Sequence, residues 1–179
     1  HALGLPDLYD VRDGGRIDVG PGCWSLMGSG GWGGNSYSPE YPTHPGSWLS
    51  RYLGWTQTLV PAEDTNVTLT PIHQDLQVLE LSFQGELDPE HFLVEARRRE
   101  GFDRKLPADG LILTHVDEDV IYGAWAANLV NSGLTPGLVV VEAEGADDLT
   151  TGGNRGGASN ERLSRVRCSK LRPLKLGDT

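Results

Sequence analysis

From Thr56 onward the apolar residues recur at every second position, and this period constrains the fold more than any other feature. The runs "TQTLVP", "TNVTLTPI", "LQVLELSFQ", "HFLVEARR", "GLILTHVD" and "GLVVVEAE" are β-branched or alternating, and Gly, Pro and Asp turns separate them. Successive side chains on a strand point to opposite faces, so such runs predict a mostly antiparallel sheet or sandwich. The 24 glycines and 11 prolines in 179 residues, with 37% hydrophobic residues, agree with a loop-rich, strand-rich globular chain. That length suffices for one domain or for one piece of a larger one. "IYGAWAANLVNSG" reads equally as helix or loop.

Ahead of the strands the pattern is different. Residues 1–45 carry turn signals such as "RDGGR" and "GSGGWGGN", so they read as ordered loop, and loops of that length in a compact protein usually serve function. In "PGSWLSRYLGW" Trp48 and Tyr52, and Leu49 and Leu53, fall four apart, which predicts a short amphipathic helix of about three turns ended by Gly54. The expected class is therefore α+β. Residues 1–55 form a loop-and-helix part, 56–150 a β-rich region packed on it, and 151–179 a loop and basic tail, either disordered or foreign to the frame.

Charge narrows the partners. Residues 151–179 hold 7 basic and 2 acidic side chains, which leaves 8 basic against 23 acidic in residues 1–150, a net of −15. An acidic body repels nucleic acid and anionic membrane and is compatible with divalent cations. No apolar run is long enough to span a membrane. Cys23 and Cys168 have no metal-finger spacing, and the sequence leaves their pairing open.

The chemistry lies at the amino end. "HALGLPD" places a Gly between His1 and Asp7, and a left-handed turn at Gly4 lets the chain double back so that both side chains converge. An imidazole nitrogen and a carboxylate oxygen are two of the donors zinc commonly takes. Downstream, "SLMG" precedes a glycine-rich loop and then the "SWLSRYLGW" helix.

With these residues in view, "HALGLPDLYD" resembles the second half of the metzincin zinc motif HExxHxxGxx(H/D), and "SLMGSGGWGG" resembles the methionine turn of that clan. "GLPDLYD", "SLMGSGGW", "SWLSRYLGW", "HFLVEARRREGFDRKLPADGLILTHVD" and "LVVVEAEGADDL" are together similar to the immune-inhibitor-A family of bacterial secreted metalloproteases, over roughly residues 1–157. The resemblance implies that His1 and Asp7 are zinc ligands and that Met27 is the turn methionine, packing beneath the zinc-bound imidazoles without ligating. It implies a secreted, extracellular zinc metalloendopeptidase, monomeric, acting on protein or peptide substrates through zinc-activated water. Tyr37 and Tyr41, near the methionine turn, are candidates for stabilising the oxyanion. The first histidine and the general-base glutamate of the motif would lie before residue 1, so the chain as it stands is expected not to hydrolyse peptides.

Other residues carry competing readings. Asp10 rivals Asp7 as the acidic ligand. Asp10, Asp13 and Asp18 around "RDGGR" suit a calcium ion, against solvated loop carboxylates as the alternative. Gly30 and Gly31, with Trp32, let backbone approach an extended substrate bound as an added strand. His115, Asp117 and Asp119 are either a second metal site or strand-end turn residues. His44, His73 and His91 read as structural, and Trp24, Trp48 and Trp55 as core. From another class, a non-catalytic β-sandwich module for binding or adhesion accounts for the strands but gives no role to "HALGLPD" or "SLMG".

Overall fold

A computed structural model describes residues 1–12, 20–33, 39–61, 66–82 and 88–141. The fold is mixed α+β, with one five-stranded sheet in the order β1-β2-β3-β4-β5. The strands are β1 (Gln57–Leu59), β2 (Gln77–Ser82), β3 (Glu90–Arg97), β4 (Gly110–Asp117) and β5 (Leu138–Val140). Pairings from β2 to β5 are antiparallel, and β1 joins β2 in parallel. The helices are α1 (Ser47–Tyr52), α2 (Ile72–Asp75) and α3 (Glu118–Trp125). No helix among the described residues is long and apolar enough to cross a membrane.

β3 and β4 form the spine, matched residue for residue from Glu90↔Asp117 to Arg97↔Gly110. Register then fixes what each face carries. His91, Leu93, Glu95 and Arg97 of β3 share a face with Val78 and Glu80 of β2, with Ile112, Thr114 and Val116 of β4, and with Leu138 and Val140 of β5. All of these are buried. The opposite face is half-open, with Leu81 exposed and Leu79, Phe92, Leu111 and Leu113 partly so.

The covered face lies under the amino-terminal loop, α1 and the α3 region. Leu5, Leu8, Trp48 and Leu49 pack with Val78, Leu93, Val116, Ile121, Val130 and Leu138 in one core, and Trp24, Leu106, Ile112 and Val140 form a second cluster. Burying a leucine or valine side chain contributes about 2 kcal/mol. The core includes residues from both sides of position 55, so the loop-and-helix part and the sheet are packed into each other.

α1 spans six residues, about half the length its apolar spacing predicts. Gly54 sits at φ +69°, and Gly54 and Trp55 return hydrogen bonds to Arg51 and Ser50, a left-handed cap that ends the helix at the expected glycine. Trp55 follows this cap and is 49% exposed, whereas Trp24 and Trp48 are buried, so the expectation of a core position fails for Trp55 alone. The described part of "TNVTLTPI" forms no strand. Pro71 has no N–H to give a ladder, and it contributes only an isolated bridge to Ala96 before α2 begins. Residues 151–179 lie outside the described residues.

Candidate functional site

The left-handed turn sits at Gly4, φ +76°, where the amide donates to the His1 carbonyl at 2.8 Å. No atom lies near a Cβ built there, so backbone conformation and not space demands the glycine. Beyond the turn the chain doubles back, and His1 Nε2 lies 3.1 Å from Asp7 Oδ1. His1 Nδ1 lies 3.0 Å from the Leu5 carbonyl. A carbonyl only accepts, so Nδ1 carries the hydrogen and Nε2 of the neutral ring presents a lone pair to the carboxylate. Two lone-pair donors at this separation need a cation between them, a proton or a metal. Nitrogen and oxygen bound tetrahedrally to one zinc ion stand about 3.3 Å apart, so the pair fits that ion in kind and spacing. Hydrogen-bonding the distal ring nitrogen to a carbonyl is also how metal-binding histidines are oriented.

Asp7 is held from the far end of the chain. Its backbone N–H donates to Asn128 Oδ1, and Asn128 Nδ2 donates to Asp7 Oδ2, each at 2.8 Å. The Tyr9 hydroxyl also hydrogen-bonds Asp7; its pKa is raised, first by burial and then by that neighbouring carboxylate. Two further residues of the same late segment grip the loop. Asn131 Nδ2 donates to the Leu8 carbonyl at 2.8 Å, and Ser132 Oγ accepts from the Val11 amide at 3.1 Å. Asn131 also exchanges hydrogen bonds with both backbone groups of Leu138, which ties the loop to β5. Sequence reasoning missed Asn128, Asn131 and Ser132. The signal within reach was the run of amides in "ANLVNS", which an ordinary loop also displays.

Met27 is half-buried against the main core, and its carbonyl accepts from the Leu8 amide at 2.9 Å. The turn around Met27 and the segment carrying Asp7 are therefore neighbours joined through the backbone.

The remaining predicted residues are distributed otherwise. Asp10 Oδ1 accepts from the Arg12 amide at 3.0 Å, a local turn, while Asp13 and Asp18 lie outside the described residues. Tyr41 carries the Arg104 guanidinium 4.2 Å above its ring; Tyr37 lies outside the described residues. Gly30 is buried, and a Cβ there would collide with Thr43, Ser25 and Cys23, so the chain's own atoms account for this glycine. Gly31 is unobstructed, and Trp32 is half-exposed. His115 pairs with Glu90 at 2.8 Å, and Asp117 caps α3 by accepting from Val120 N–H, which makes Asp117 a strand-end capping residue. Cys23 is not a free thiol; Cys168 lies outside the described residues.

A second polar cluster is fully enclosed. Arg97 Nη1 donates to both oxygens of Asp103 at 3.0 and 2.9 Å, and Nη2 donates to the Trp24 carbonyl at 2.6 Å and to Glu95 Oε1 at 3.1 Å. Burial raises the pKa of Asp103, but a hydrogen bond from His44 and the Arg97 charge outweigh it, leaving the carboxyl lowered to about 2. For Glu95 burial wins over Arg97, and its pKa is raised. This cluster joins β3 to the loops, with Arg97 Nε left without a hydrogen-bond partner among the described residues. Among the described residues no group of three or more His, Cys, Asp or Glu side chains is placed to hold a metal. No protein-family model, curated protein or solved structure matched the chain.

Proposed function

We propose that the chain is the carboxy-terminal part of a secreted bacterial zinc metalloendopeptidase of the immune-inhibitor-A type. Residues 1–55 are then the lower catalytic subdomain, and the sheet packs against it. The observation that carries this reading is the His1–Asp7 pair, with Nε2 aimed at Oδ1 and Nδ1 tied to the Leu5 carbonyl. The bond between Leu8 and the methionine-turn carbonyl supports it.

His1 and Asp7 would hold the metal, the Leu5 carbonyl would fix the imidazole, and the turn around Met27 braces the loop through the Leu8 amide. Zinc in this setting supplies Lewis acidity toward a peptide carbonyl and a bound water of lowered pKa. Two protein donors do not close a zinc site, so the third ligand and the general-base glutamate come from upstream of His1.

Reading the codons upstream of His1 tests this directly: in-frame His-Glu followed by two residues and then His1 is the expected result. Any other four residues there sink the reading. The lengthened chain should cleave casein in a chelator-sensitive manner, and Asp7→Ala should abolish both cleavage and stoichiometric zinc.

A further inference from the structure

We propose that Asn128 is a positioning residue for Asp7, holding its carboxylate so that Oδ1 alone faces the metal; this rests on the zinc reading above. The Asn128 amide uses both ends on one residue. Its oxygen takes the Asp7 backbone N–H and its nitrogen gives a hydrogen bond to Asp7 Oδ2, both at 2.8 Å across 121 positions. Donor and acceptor types fix which end of the amide is which. With Oδ2 engaged by Asn128 and the Tyr9 hydroxyl also bonded to the carboxylate, rotation breaks hydrogen bonds, and the oxygen toward His1 Nε2 is Oδ1.

Loop attachment does not explain this contact. Asn131 and Ser132 already fasten the same loop at Leu8 and Val11. Asn128 moreover adopts φ +56°, a left-handed conformation that non-glycine residues seldom take and that Asn tolerates best after Gly. A simple turn at this position would favour glycine; the amide is what glycine lacks. Residues that orient a metal-bound carboxylate typically change metal affinity by about 10- to 100-fold when removed.

The test titrates Zn²⁺ alone into the 179-residue chain, expressed behind an initiator methionine and without a histidine tag. The Cε1 proton resonance of His1 is followed by NMR. Asn128→Gly accommodates the left-handed backbone and should stay folded, lowering the unfolding midpoint at least as much as the loss of one loop anchor does, while raising the zinc Kd about 10- to 100-fold. Ser132→Ala removes a loop anchor that does not touch Asp7, and should leave the Kd within about twofold while lowering the midpoint. The proposal is overturned if Asp7→Ala weakens zinc binding but Asn128→Gly does not, or if Ser132→Ala weakens it as much as Asn128→Gly. If Asp7→Ala binds zinc as wild type does, the zinc reading itself fails and takes this inference with it.

Discussion

Asn131 and Leu8, 123 positions apart, are joined by a 2.8 Å hydrogen bond from the Asn131 amide nitrogen to the Leu8 carbonyl. The same amide bonds both backbone groups of Leu138, and the side chain is buried. Asn131→Ala leaves three backbone groups without partners, and one buried unpaired group costs about 1–3 kcal/mol, so a loss of about 3 kcal/mol or more is expected. Urea unfolding measures it; a loss below about 1 kcal/mol would show that water replaces the amide.

Gly30→Ala should destabilise the fold. A methyl there meets Thr43 Oγ1, the Ser25 carbonyl at 2.5 Å and the Cys23 carbonyl at 2.8 Å. Overpacking of this kind costs about 1–3 kcal/mol. Because two of the three obstacles are backbone, Thr43→Ala in the same chain should recover only part of the loss. Full recovery would place the strain on Thr43 alone.

Acid should unfold the protein partly through Asp103. Its folded pKa is about 2, below the ordinary aspartate value of 3.8, so its contribution is fully present above the unfolded value and disappears as pH falls toward 2. The difference corresponds to roughly 2 kcal/mol. In Asp103→Asn the stability curve between pH 4 and pH 2 should be flatter than in wild type. Parallel curves for the two proteins would show that Asp103 does not drive the acid transition.

Glu95 should behave in the opposite sense. Burial raises its pKa, so its stabilising contribution is complete below the unfolded value and declines as pH climbs through the folded one. Glu95→Gln keeps an oxygen to accept from Arg97 but never ionises. Relative to wild type it should gain stability as pH rises above the ordinary glutamate range and match wild type below it. Equal stability of the two above that range would contradict the direction of the shift.

Arg97→Met removes the cation between Glu95 and Asp103, which lie on either side of it at 3.1 and 2.9 Å. Breaking a buried pair from one side typically costs about 3–5 kcal/mol. Thermal unfolding should show a large drop, and adding Glu95→Gln should restore a measurable part. No restoration would mean that Asp103 alone carries the penalty.

Much of the sheet was legible because "LQVLELSFQ", "HFLVEARR" and "GLILTHVD" obey a period set by backbone geometry alone. The face each strand buries was not. In β3 both faces are covered toward its end: Val94 and Ala96 are buried on one, and His91, Glu95 and Arg97 on the other, under the amino-terminal loop. What compensates Arg97 is Asp103 and the Trp24 carbonyl, the latter 73 positions away, and no local pattern announces such partners. The His1–Asp7 approach was legible because six residues and one glycine contain it. Asn128 and Asn131 were not, since their partners lie more than 120 positions earlier.

The core that spans position 55 bears on how such a chain can change over time. Leu5, Leu8, Trp48 and Leu49 have their apolar neighbours in the sheet, and the amides that brace the front loop sit beyond α3. A genetic exchange with a crossover near Trp55 would separate each half from the surface it needs. The front loop is therefore inherited together with "ANLVNS", or not at all.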